Sequence, residues 1–139
     1  MRRFALVTLL LLAAACSSGR RPANVKQPEI RGHAVGSIFF GSSQTAAVDV
    51  EVSVTNRADV PLIVHAIRIS SPMMDQYTLQ SAERSFHQTL APGESQTFAL
   101  SATAYTNRTN LEPTEPLQLR VDVDCEAAGA RFREIETFR

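Results

Sequence analysis

The chain has no tryptophan, only two cysteines among 139 residues, and no excess of either charge, with 14 basic and 14 acidic side chains. Two cysteines cannot build a disulfide-dense scaffold or a four-cysteine zinc site. A formal net charge of zero offers no electrostatic footprint for nucleic acid, and polybasic or strongly acidic tails are absent. The apolar stretch from Phe4 to Ala15 has 12 residues, short of the roughly 20 that a membrane-spanning helix requires. Beyond it no window carries apolar residues at helical spacing. The serine-hydrolase motif Gly-x-Ser-x-Gly is missing, and Gly32 and Gly36 do not form a phosphate loop.

What is present divides the chain at Cys16. Arg2 and Arg3 precede the apolar stretch, which ends in Ala13, Ala14 and Ala15. A basic start, a short apolar run and small residues at the end make a bacterial secretory signal, covering residues 1–15. Ala13-Ala14-Ala15-Cys16 resembles the lipobox of bacterial lipoproteins, with Ala13 where leucine is commonest. The resemblance implies a lipid-modified Cys16 as the mature N-terminus. Ser17 in place of an aspartate resembles the pattern of lipoproteins sent to the outer membrane, facing the periplasm. Removal of residues 1–15 takes away two arginines and no acids, leaving a formal charge of −2. Residues 16–28, with serine, glycine, arginine and two prolines, read as a flexible tether. Its twelve residues after Cys16 reach at most roughly 40 Å.

From about residue 33 the period becomes two. Val48, Val50, Val52 and Val54 alternate with Asp49, Glu51, Ser53 and Thr55. Leu117, Leu119, Val121, Val123 and Cys125 alternate with Gln118, Arg120, Asp122 and Asp124. Such alternation marks strands with one buried and one wet face. Ile63, Val64, Ile67 and Ile69 form a third run, and Phe98, Leu100 and Ala102 a fourth. Weaker strand signals lie at Val35–Phe40, Tyr77–Leu79, Phe86–Leu90 and Phe132–Phe138. Pro92-Gly93 suits the centre of a type II turn, and Gly129 marks a final hairpin. Many short strands at this spacing predict an all-β, immunoglobulin-like antiparallel sandwich of about seven or eight strands over residues 29–139. If the strands simply run up and down, the Asn56–Pro61 and Thr106–Pro116 loops share the tethered end. The Ser71–Asp75 and Ala91–Glu94 turns then share the far end.

The valines leading into Asn56, the following Pro61-Leu62 and Ile-rich strand, and the later Leu90-Ala91-Pro92-Gly93-Glu94 carry a family resemblance. They resemble the type 2 late-embryogenesis-abundant domain (the water-stress and hypersensitive-response domain), which also occurs in bacterial lipoproteins. Arg57 stands where that family has a proline after its asparagine. The resemblance implies an immunoglobulin-like sandwich in a stress-linked envelope protein, and it brings no catalytic residues.

Few side chains suggest chemistry. Cys125 continues an inward face and is expected to be a buried, inert thiol, unpaired because Cys16 carries lipid. His33, His65 and His87 lack metal-ligand spacing. His65 shares the parity of Ile63 and Ile67 and is expected to face the core, while parity leaves the face of His87 open. Met73 and Met74, with a histidine, have the soft ligands of a periplasmic copper carrier, although adjacent methionines in a turn more often serve as apolar packing or an exposed contact patch. Asp122 and Asp124 are expected on a solvated strand surface. The long Thr106–Pro116 loop, including Asn107 and Arg108, is either a binding loop or a connector. Together these readings predict a lipid-anchored, non-enzymatic binding or structural module needing no cofactor. Its expected partners are the membrane, through its lipid, and an envelope component, with copper carriage as the alternative.

Overall fold

The computed structural model describes residues 19–36, 38–40, 44–72, 77–107 and 117–139. The described residues form eight strands: β1 (Glu29–Val35), β2 (Thr45–Thr55), β3 (Leu62–Ser70), β4 (Thr78–Leu79), β5 (Ala82–Leu90), β6 (Ser95–Tyr105), β7 (Leu119–Ala127) and β8 (Ala130–Phe138). They form two antiparallel four-stranded sheets, ordered β1-β2-β6-β4 and β5-β3-β7-β8. β1, β2 and β6 take the places of strands A, B and E of an immunoglobulin sandwich, and β3, β7 and β8 those of C, F and G. The alternating valines of β2 meet the inward side chains of β7 in one apolar core, where Val48, Val52, Val121, Val123 and Phe132 are fully buried.

β1 lies earlier than its sequence signal, at Glu29–Val35, and residues 38–40 belong to no strand. The reason is Gly32. A Cβ there would sit 3.1 Å from Val121 Cγ2 and 3.2 Å from both Leu119 Cδ2 and Phe138 Cδ2. The central inward position of β1 therefore carries no side chain, and the apolar alternation that would reveal the strand is missing from it.

The expected tether is also different. From Gly19 onward the segment lies along the sandwich: the Gly19 amide donates to the Arg131 carbonyl, and Gly19 bridges Phe132 in parallel. Val25 is 1% exposed and belongs to the core. Arg21 pairs with Glu134 at 2.8 Å and donates to the Val25 carbonyl. Glu134 and Glu136 alternate with outward residues of edge strand β8, and Gln27 donates to Glu136. One buried valine and these acidic partners are enough to dock a segment of otherwise unpromising composition.

Loop placement departs from simple up-and-down alternation as well. β4 pairs antiparallel with β6 through only Thr78 and Leu79, then the chain crosses to the other sheet as β5. Because β4 is a short step rather than a full return stroke, β4 and β5 run in the same direction. Asn56–Pro61, Ala91–Glu94 and Ala128–Gly129 consequently gather at one end, beside Gly19. Val35, Ser71, Tyr77, Tyr105 and Leu117 lie at the other. Asn56 ties the first end together: its Nδ2 donates to the carbonyls of Val60 (2.8 Å) and Leu90 (3.0 Å), and its Oδ1 accepts from the Ala58 amide (2.9 Å). Its backbone exchanges bonds with Glu94 and Gly93. Gly93 has φ +80, and the Glu94 amide closes onto the Ala91 carbonyl, the turn expected from Pro92-Gly93.

Candidate functional site

Two surfaces combine uncommon geometry with reactive or sticky side chains. The first is on the outer face of the β5-β3-β7-β8 sheet. The β3 register shifts between Val64 and Ala66 against both neighbours. Against β7 the extra residue is His65; against β3 the extra residue lies in β5, between Ser85 and Gln88. Each bulge places consecutive side chains out of phase. His65 therefore stays on the outer face with Ile63, while Ile67 turns inward and is fully buried. The expectation that His65 faces the core fails for this reason, since parity does not survive an inserted residue.

The stacked bulges bring His65 and His87 together. Their Nδ1 atoms are 3.3 Å apart, and the rings meet edge-on with centroids 5.5 Å apart and planes at 78°. Glu126 accepts from His65 Nε2 at 2.8 Å. His87 has φ +53, a left-handed conformation that non-glycine residues seldom adopt. His33 lies on the other sheet, 3.6 Å from Glu51. Among the described residues, no three His, Cys, Asp or Glu side chains converge as a ready-made metal cage.

Charged ladders surround the pair. Asp124 binds Arg131 through both carboxylate oxygens, and this hydrogen bonding, with further attraction from Arg131, His65 and Arg133, holds its carboxyl below the usual range against the opposing effect of burial. Asp122 pairs with Arg120 at 2.8 Å. Both aspartates lie on the outer face, as their alternation predicts, but Asp122 is buried there at 8% exposure rather than solvated. On the first sheet, the hydrogen bond from Arg57, then that from Arg31, lowers the Glu29 carboxyl. Cys125 is fully buried; burial, reinforced by Glu134 and Asp124, pushes its thiol up to about 12.

The second surface is the end opposite Gly19. Phe39 is 86% exposed, and Val35 and Tyr105 are also exposed. Phe40 stacks on Tyr77 with centroids 5.1 Å apart, anchoring the neighbouring backbone. A shallow groove of about 550 Å³ continues from Val35 across the outer face of β2 and β6. Asp49, Glu51, Ala99 and Ser101 line it, and Glu83 and Arg84 wall it. Arg84 donates to the Ala99 carbonyl at 3.2 Å.

Of the residues singled out in the sequence, Asn107 is described and exposed at this end, two residues past β6. Cys16, Met73, Met74 and Arg108 lie outside the described residues. Pro72, the last described residue before the methionines, follows β3 at the Tyr105 end. His65 is five residues back from the end of β3, a rise of about 15 Å. The histidine pair had no signal in the sequence, because 22 residues separate its members and only the double bulge aligns them.

No protein-family model matches the chain, and no curated protein is similar to it in sequence. Solved structures are similar in fold. The Northeast Structural Genomics Consortium target SoR45 superposes with a TM-score of 0.51 at 9% identity, covering 81% of this chain and 83% of that one. The putative ApaA protein from Bordetella pertussis gives a TM-score of 0.50 at 19% identity, covering 81% of this chain and 89% of its own. At these identities the likeness concerns the fold alone.

Proposed function

We propose that the protein is a lipid-anchored module of the bacterial outer membrane, non-enzymatic, that binds an envelope protein through the end of the sandwich farthest from its anchor. The observation that carries this reading is the exposure of Phe39, Tyr105 and Val35 toward the end opposite Gly19, with Val35 also lining the 550 Å³ groove on the outer face of β2 and β6. Exposed aromatic and apolar side chains gathered toward one end of a domain are what a contact surface requires. The sequence supplies the anchor, through the leader and Cys16. Three residue steps separate Cys16 from Gly19, a reach of at most about 10 Å. With Gly19 docked on β8, a lipid on Cys16 would hold the Asn56 end at the bilayer and turn the aromatic end toward the periplasm.

Photo-crosslinking in intact cells tests the reading. Probes replacing Phe39 and Tyr105 should trap one defined envelope protein. A probe replacing Ile135, exposed on the outer face of the other sheet, should not. The same adduct from all three positions, or none from the first two, would refute it. Cys16→Ser should release the protein from the membrane fraction and remove the lipid mass; a variant still membrane-bound with unchanged mass would refute the anchor.

A further inference from the structure

We propose that the apposed Nδ1 atoms of His65 and His87 form a binding site for a single borderline divalent cation, Zn²⁺ or Cu²⁺. Three observations converge. First, the separation is long for a hydrogen bond but fits two ligands of one ion. Metal–nitrogen bonds of about 2.0–2.1 Å span the observed 3.3 Å at an angle of roughly 107°, close to tetrahedral.

Second, Glu126 accepts from His65 Nε2 at 2.8 Å. A proton held on Nε2 leaves the Nδ1 lone pair directed at His87. A carboxylate behind a ligating imidazole is the usual outer partner of a metal-bound histidine, fixing both tautomer and ring orientation. Glu126 also supplies negative charge beside the pair.

Third, the backbone is distorted just where the rings meet. Adjacent strands carry bulges at one level, and His87 holds φ +53. Glycine would adopt that φ without strain. Bulges re-aim side chains in this way beside functional sites. His87 is exposed, which leaves the ion's remaining positions open to water or to a ligand from a partner.

The test uses the untagged full chain carrying Cys16→Ser, so that the remaining thiol is the buried Cys125. Calorimetric titration with ZnCl₂ and with CuCl₂ should each show one equivalent bound, with Cu²⁺ the tighter. Nitrogen NMR should show ligation at Nδ1 of both His65 and His87. His87→Gly should weaken binding at least tenfold while leaving the thermal midpoint unchanged or raised, because it removes the ligand and the strain together. Glu126→Gln should weaken it by about 10-fold or more, and His33→Ala should leave it unaltered. One-equivalent binding that survives in the His65→Ala/His87→Ala double variant, or binding abolished by His33→Ala, would overturn the proposal. So would a well-folded Cys16→Ser chain that takes up neither ion.

Discussion

Replacing Asn56 with alanine tests the joint that holds the two sheets together at the Gly19 end. The side chain is 1% exposed and makes three hydrogen bonds, donating to the Val60 and Leu90 carbonyls and accepting from the Ala58 amide. An ordinary hydrogen bond contributes about 1 kcal/mol net, but a buried group stripped of its partner costs about 1–3 kcal/mol. Leu90 is fully buried and Ala58 nearly so, so the larger figure applies to part of the loss. The sum is about 4 kcal/mol, a large share of the roughly 5–15 kcal/mol that stabilises a typical domain. With a urea dependence of about 1.5 kcal/mol/M, the unfolding midpoint should fall by about 2–3 M. Asn56→Asp supplies an internal check. It keeps an acceptor for Ala58 but loses both donors and sets carboxylate oxygens against two carbonyls. At neutral pH it should destabilise at least as much as alanine. A midpoint shift below about 0.5 M for the alanine variant, or a neutral aspartate variant, would refute the argument.

Two further predictions concern the core. Val25→Ala should lower stability by about 2 kcal/mol, read as a urea midpoint shift, because Val25 is packed in the core; an unchanged midpoint would mean that residues 19–28 are free. Cys125 has a folded thiol raised to about 12 from an ordinary 9.0, so folding favours its protonated form. Its contribution is complete below pH 9 and is lost as pH rises toward 12. It should cost about 2 kcal/mol between pH 8 and 10.5 relative to a Cys125→Ala variant measured in parallel, and equal pH slopes for the two proteins would contradict it.

Sequence legibility followed the locality of the cause. β2, β6 and β7 were legible because their side chains alternate without interruption, so the buried face can be read from spacing alone. The Ala91–Glu94 turn and the Gly129 hairpin were legible because glycine φ requirements are local. β1 was obscured by Gly32, whose missing side chain makes sense only with Val121, Leu119 and Phe138 opposite. Val25 looked like part of a tether because one valine among polar residues carries no periodic signal. Its burial depends on an edge strand more than 100 residues later.

The histidine pair shows the same division. Spacing placed His65 in phase with Ile63 and Ile67, which holds only if the strand has no inserted residue. Whether a bulge forms depends on the registers that β3 adopts against β5 and β7, and those are settled by packing across sequence separations of more than 20 and 60 residues. By itself the sequence determined the all-β class, the buried faces of the regular strands and the turns between them, since each follows from short-range alternation and backbone preference. Tertiary structure alone decided which loops share an end, how residues 19–28 dock and where two histidines meet. These depend on strand register and sheet order, which arise only when distant segments pack together.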